Sequence, residues 1–368
     1  MKYKIITGDV LDVLPTLEAE SFSASLCDPP YHLTSKDGTK GFMNQAWDGG
    51  DVAFRRETWQ SVMRVLKPGS FLMAFGGTRT FHRLVCAVED AGMEVRDALV
   101  WLYADSRPPN LDISKAIDKE KGAERKVVGK YRPPEMKSEW GLKKAKDERT
   151  VKTFASSRNN LDVTAPATAE AMAWSGYGTV LKPSCELVSL SMKPMEGNFV
   201  RNALEIGVSG LNIDAARIPV EGQDSSTIGR WPKNVLLDEG ASSLLDSGFP
   251  GVDRFFYCNK ASTKERNEGL PDGMTNSHST VKPVALARYL ASLLLPPKRT
   301  DRPRRILVPF SGVGSEMIGA ILAGWDEVVG IENGGGDPAV AQCHVGIANK
   351  RLQYWLLKNE EDKRSVFD

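Results

Sequence analysis

The chain lacks paired cysteines, clustered histidines, a strong net charge and any long apolar run, and each shortage removes a class of protein. Its five cysteines, Cys27, Cys86, Cys185, Cys258 and Cys343, are dispersed over 368 residues. That usage excludes a disulfide scaffold and predicts reduced thiols in a cytoplasmic setting. The four histidines, His32, His82, His278 and His344, do not gather with them, so no zinc spacing is legible and no metal is expected. A net charge of +1 excludes a uniformly basic nucleic-acid coat and leaves any such affinity to local patches. The opening residues have no signal-peptide core, and no apolar run has the length of a membrane span. A soluble, cytoplasmic chain without a membrane partner is expected. What is present is enough for two or so domains, with 41% hydrophobic residues to build their cores.

Short apolar runs alternate with helical stretches from residue 1 to about 104, which predicts an α/β fold. Strands are expected at Tyr3–Thr7, Ser23–Asp28, Phe71–Phe75 and Val95–Tyr103. Helices are expected at Asp9–Leu17, Arg56–Leu66 and Thr80–Ala91, with Lys67-Pro68-Gly69 stopping the second. Residues 105–180 break this rhythm. Ser114–Lys152 is crowded with Lys and Arg, among them Lys119, Arg125, Lys130, Lys143 and Arg149. Such a run is either a solvated face or a phosphate-contacting insert. A core strand returns within 181–194. The stretch 195–270 is loop-rich and sets arginines beside aromatics at Gly229-Arg230-Trp231-Pro232 and Arg254-Phe255-Phe256-Tyr257. That mixture suits either packing or stacking on bases. The α/β pattern resumes in 271–358, with a helix from Pro283 to Leu295, a strand at Arg305–Pro309, a helix at Ser315–Ala323 closed by Gly324, and a strand at Glu327–Glu332. A charged tail, 359–368, follows.

Two segments carry chemistry. Asp28-Pro29-Pro30-Tyr31 ends an apolar run. Proline has no N–H and a fixed φ, so the pair holds carbonyl acceptors rigidly between a carboxylate and an aromatic face. Those are the groups needed to methylate an amino group on a flat base; a strand ending in an Asp-Pro turn is the plainer alternative. The second segment, Pro309-Phe310-Ser311-Gly312-Val313-Gly314-Ser315, joins a strand to a helix. Its glycines allow a sharp turn and close ligand approach. Glu332 ends the next strand at the spacing where an acid receives ribose hydroxyls. Glu316 in the first helical turn disfavours a pyrophosphate there. A ribose-bearing, phosphate-free, cationic cofactor fits better, which points to S-adenosylmethionine.

With Thr7-Gly8-Asp9, Trp47-Asp48, Val65-Leu66-Lys67-Pro68-Gly69, Phe75-Gly76-Gly77-Thr78-Arg79 and His278-Ser279-Thr280-Val281-Lys282-Pro283, these segments resemble, in order, the amino-group DNA methyltransferases of the permuted β class. The likeness is greatest to methylases of phages and prophages. Two departures stand out: Val308 replaces an aspartate before Pro-Phe, and Ser279 replaces a proline after His278. The resemblance implies a circularly permuted, Rossmann-like methyltransferase sheet with inserted DNA-recognition segments. It implies Asp28, Pro29, Pro30 and Tyr31 as catalytic residues. Cofactor contacts would come from Pro309, Phe310, Gly312, Gly314 and Ser315 near the methionine, Glu332 and Asn333 near the ribose, Asp9 near the adenine, and Thr280 with Lys282 near the methionine carboxylate. Asp9 as a helix cap and Lys282 as a surface cation are the plainer readings, and Trp47 and Asp48 are either pocket wall or loop packing. The implied reaction is methyl transfer to adenine N6, with cytosine N4 as the alternative, or with the fold kept as a non-catalytic DNA-binding homologue. Double-stranded DNA is the implied partner, with a homodimer or a restriction partner left open. The insert 105–180 would contact phosphates, and 195–270 would read bases.

Overall fold

Near-continuous apolar runs make up the central strands, as parallel strands covered on both faces require. The computed structural model describes residues 1–33, 41, 46–104, 111–130, 162–218, 228–239, 241–242 and 255–365. The strands are β1 (Lys2–Thr7), β2 (Phe22–Cys27), β3 (Leu66–Gly76), β4 (Glu94–Leu102), β5 (Val127–Lys130), β6 (Asp162–Thr164), β7 (Cys185–Met192), β8 (Val235–Leu237), β9 (Phe256–Tyr257), β10 (Arg305–Pro309) and β11 (Glu327–Glu332). Nine of them form one sheet in the order β1-β11-β10-β2-β3-β7-β4-β8-β9. All neighbours are parallel except β7, which runs antiparallel to β3 and β4.

Alternation along the strands divides the core between the two faces. Phe71, Met73 and Phe75 of β3 and Ile306 and Val308 of β10 pack on one side with the helices Val284–Leu294 and Ser315–Ala323. Leu72, Ala74 and Leu307 face the other side with Trp59, Val62, Leu84 and Val88 from the helices Arg56–Val65 and Phe81–Asp90. Val308, at the position of the missing aspartate, is therefore a fully buried core residue.

The chain divides into two compact units. The first holds the nine-stranded sheet and comprises 1–103, 185–242 and 251–368; the second comprises 104–184 and 243–250. In the second, β5 and β6 pair antiparallel. Asp118, in the helix Ile113–Glu120, accepts from Arg125 at 2.6 Å, from the Thr168 hydroxyl at 2.8 Å, and from the Ala167 and Thr168 amides at 2.9 and 3.1 Å. A buried carboxylate with every lone pair filled ties the insert together locally. The expected cations Arg132, Lys143, Lys144, Lys146 and Arg149, and Arg254 of the later stretch, lie outside the described residues.

Three expectations differ from the structure. Lys67-Pro68-Gly69 does not form a connecting loop. The helix ends at Val65 and β3 begins at once, with the extra residues absorbed where the β2–β3 register shifts between Phe22 and Ala24. Gly69 at φ 77° makes that irregularity possible. The region 195–270 is not all loop, since it supplies β8 and β9 to the edge of the main sheet. The boundary at 358 falls inside one helix, Pro338–Ser365.

Close packing of the two helices on the β10 side rests on Gly319. A Cβ there would stand 2.4 Å from the Ala287 carbonyl carbon, closer than backbone atoms allow. Gly319→Val is expected to cost about 1–3 kcal/mol through overpacking, read as a lowered thermal midpoint; an unchanged midpoint would contradict this contact.

Candidate active site

β2 and β10 lie side by side, with Ala24 opposite Ile306 and Ser25 opposite Leu307. Both run in the same direction, so the segments that follow them, Asp28–Tyr31 and Phe310–Ser315, emerge together at the carboxyl edge of the sheet. That edge is where open α/β sheets bind ligands. The glycine turn is tightly wound: Phe310, Gly312 and Gly314 all have positive φ, 61°, 49° and 83°. Gly314 in the left-handed region caps the helix Ser315–Ala323. Arg351, fully buried in the C-terminal helix, braces the turn by donating to the Val313 carbonyl at 2.7 Å and the Ser315 hydroxyl at 3.3 Å.

Glu332 ends β11 beside this turn and is nearly buried. Its Oε2 accepts from the Gly312 amide at 2.8 Å, and its Oε1 accepts from the Gly334 amide at 2.9 Å. Oε1 also lies 3.0 Å from His344 Nδ1. Burial alone would raise the Glu332 pKa, but the bond and charge of His344 and the two amides outweigh it and lower it. Asp9 caps the short helix Val10–Val13 through the Leu11 amide at 2.8 Å, and its second oxygen accepts from Asn333 Nδ2 at 3.0 Å. Capping and proximity to β11 are therefore both true of Asp9. Gly334–Gly336 forms a short 3-10 turn against Trp47, where a Cβ on Gly335 would sit 2.4 Å from the Trp47 Cα.

Trp47 stacks on His278 at 5.5 Å between ring centroids, and His278 meets His344 at 4.7 Å. Burial and the neighbouring His344 lower His278 to about 4, so the ring is neutral at physiological pH. Asp48 binds the backbone amides of His32 and Leu33 at 2.8 and 3.0 Å. It thus holds the chain just beyond the catalytic tetrapeptide. Thr280 is half-buried on the approach to Lys282.

Lys282 is buried, not a surface cation, and its ammonium sits on the tetrapeptide. Nζ is 2.6 Å from Asp28 Oδ2, 3.1 Å from the Tyr31 hydroxyl and 3.1 Å from Glu186 Oε2. The Tyr31 hydroxyl donates to the same Glu186 oxygen at 3.1 Å. Asp28 Oδ1 is buried and has no partner. Burial works to lower the Lys282 pKa, but the carboxylates of Asp28 and Glu186 overcome it and raise it. Burial raises Asp28; Lys282 opposes that rise and Glu186 adds to it. Glu186, on β7, and Arg351 have no counterpart in the sequence expectations. A single acid opening an apolar run reads as an exposed strand end, and a lone arginine in a charged helix reads as solvated.

Away from this edge, the Arg217 guanidinium lies 5.7 Å above the Trp231 ring, and Lys233 lies 5.0 Å above Phe255. Trp231 is 63% exposed. Among the described residues no cluster of His, Cys, Asp and Glu could hold a metal ion, and no helix is long and apolar enough to cross a membrane.

Glu316, in the first turn after the glycine loop, is only 4% exposed. Burial, reinforced by the Asp28 charge and opposed by Lys282, raises its pKa from 4.5 to about 7. The folded state therefore holds a proton that the unfolded state releases in that interval, so this residue's contribution to stability falls as pH rises through it. Glu316→Gln is expected to match wild type near pH 5 and exceed it by on the order of 1–3 kcal/mol at pH 8. Denaturant titrations at the two pH values read this directly; a gap that does not widen with pH would contradict it.

The chain matches the N6/N4 methyltransferase family, described as DNA methylase, over residues 22–333. It is similar to the cytosine-N4-specific PvuII DNA methyltransferase, at 12% identity over 96% of this chain and 94% of that one, with a TM-score of 0.47. It is also similar to M1.HpyAVI in complex with SAM, at 12% identity over 95% and 99%, TM-score 0.40. A third likeness is to a DNA modification methylase of Thermus thermophilus complexed with S-adenosyl-L-methionine, itself assigned on likeness alone, at 13% identity over 97% and 96%, TM-score 0.43. No curated protein sequence matches the chain.

Proposed function

This chain belongs to the N6/N4 DNA methylase family, and on that premise we propose that it transfers a methyl group from S-adenosylmethionine to the N6 amino group of an adenine flipped out of double-stranded DNA. The observation that carries the reading is Asp28 Oδ1, a buried carboxylate oxygen with no partner, next to a rigid Pro-Pro turn. An unpaired buried acceptor is costly, and an amine N–H removes that cost.

The residues present fit the methyl donor. The edge gathers Asp28, Glu186, Glu316 and Glu332 against the Lys282 ammonium, a balance that favours a cationic ligand. Glu332 retains acceptor capacity after its amide and histidine contacts, as a ribose hydroxyl requires. When bound, S-adenosylmethionine supplies an electrophilic methyl group. The protein's own residues then activate the acceptor. Asp28 Oδ1 and the Pro29 carbonyl accept the two N–H groups of the amine, drawing its lone pair out of the ring and holding the nitrogen in line. Tyr31 lies against the base. Pro309, Phe310, Gly312, Gly314 and Ser315 cradle the donor, with Asp9, Asn333 and Thr280 at its periphery. Extruding the base costs roughly a few kcal/mol. Trp231 with Arg217, and Phe255 with Lys233, offer flat faces backed by cations for contacts to unstacked DNA.

We also read the chain as circularly permuted. Its glycine-turn strand comes last in sequence yet sits beside the catalytic strand in the sheet, which supports that order.

Asp28→Ala is expected to lower methyl transfer from labelled S-adenosylmethionine to DNA by about 10²-fold or more while leaving cofactor binding intact. Nucleoside digestion of the product should yield N6-methyladenine; N4-methylcytosine would overturn the choice of base, and equal incorporation by the variant would overturn the mechanism. Glu332→Ala should weaken cofactor binding in calorimetry by about tenfold or more, since it removes both the ribose acceptor and the amide anchor of the glycine turn. Unchanged affinity would contradict the assignment of Glu332.

A further inference from the structure

We propose that Glu186 is a positioning residue which, through Lys282 and the Tyr31 hydroxyl, fixes the oxygen of Asp28 that faces the substrate amine. The inference rests on the methyltransferase reading above and extends it to a residue outside the tetrapeptide and the glycine turn.

The geometry is a closed circuit. A lysine ammonium has three N–H donors, and Lys282 has three acceptors within reach: Asp28 Oδ2, Glu186 Oε2 and the Tyr31 oxygen. The Tyr31 hydroxyl in turn donates to Glu186. With all three donors engaged, Lys282 has none left to offer Asp28 Oδ1. That oxygen remains buried and unpaired. The circuit is closed only because Glu186 takes one ammonium proton and the phenol proton together. Without that acceptor, the ammonium is free to bridge both oxygens of Asp28, and the Tyr31 ring loses the bond that sets its tilt.

Topology explains how Glu186 reaches this edge. It lies one residue into β7, opposite Trp101, and its neighbour Leu187 pairs with Gly76 at the end of β3. Because β7 runs against its neighbours, its first residues sit where theirs end. A parallel strand would deliver its last residues there instead. Lys282 is steadied from the other side, because the next helix starts at Val284, whose amide donates to Glu265 Oε1 at 2.6 Å.

Charge gives the proposal a signature that packing does not share. The groups facing Asp28 are Lys282 before the helix Val284–Leu294, Glu186 on β7, Glu316 after the glycine turn, and Tyr31 and Cys27 on its own segment. Glu186 raises the Asp28 pKa and Lys282 lowers it. The two substitutions should therefore move the acid limb of the rate profile in opposite directions.

The experiment measures kcat, KM for DNA and the pH profile of kcat for Glu186→Gln and Lys282→Met, beside Asp28→Ala, with cofactor binding and thermal midpoints recorded for each. Glu186→Gln is expected to lower kcat by about tenfold to a hundredfold, with KM for DNA and cofactor affinity within about threefold of wild type. Its acid limb should shift to lower pH, and that of Lys282→Met to higher pH. Wild-type profiles for both, or shifts in the same direction, would overturn the inference. If Glu186→Gln does not fold, the Lys282→Met profile decides alone: an upward shift supports the circuit and no shift overturns it. An inactive Asp28→Ala with an unaltered Glu186→Gln would sink this inference only, whereas a fully active Asp28→Ala would sink the methyltransferase reading beneath it.

Discussion

The parallel pairing of β2 with β10 is the constraint on which the site depends. Residues near 28 and near 312 meet only because Ala24 and Ser25 lie opposite Ile306 and Leu307. The pairing is held from both faces, with Ile306 and Val308 in one core and Leu307 in the other. A one-residue slip would exchange those faces and misplace both turns. The sheet therefore sets the distance between the carboxylate and the glycine turn, and the loops only complete what it brings together.

Around that edge, buried charge is balanced locally. Four acids and one lysine would be costly if left unpaired. Each acid is handled differently. Glu332 is held ionised by two amides and His344, Asp28 and Glu186 share Lys282, and Glu316 has its pKa raised to about 7. The arrangement leaves one oxygen, Asp28 Oδ1, without a partner. A site poor in positive charge but closed to water suits a cationic methyl donor and a neutral amine better than a phosphate.

Much of this was legible from residue order. The βαβ unit from Arg305 to Glu332 has the bounds its apolar runs and Gly324 predict, because strands buried on both faces have no alternation to obscure them. Pro283 and Leu295 flank their helix as caps for similar reasons. The misreading at Lys67-Pro68-Gly69 arose because a proline and glycine after a helix usually mark a loop, whereas here a register shift admits them into β3. Glu186 was invisible for a different reason. Its partners Tyr31 and Lys282 are far away in sequence, and only the reversed direction of β7 brings them together. Arg351 was hidden because its role depends on which face of a long charged helix turns inward.

The most direct measurement is a crystal structure of this chain with S-adenosylmethionine bound. The account predicts the cofactor against Gly312–Ser315 with its ribose at Glu332 and its methyl carbon directed toward the side of the edge where Asp28 Oδ1 opens. A cofactor seated away from the glycine turn, or one whose methyl carbon faces away from Asp28, would contradict it.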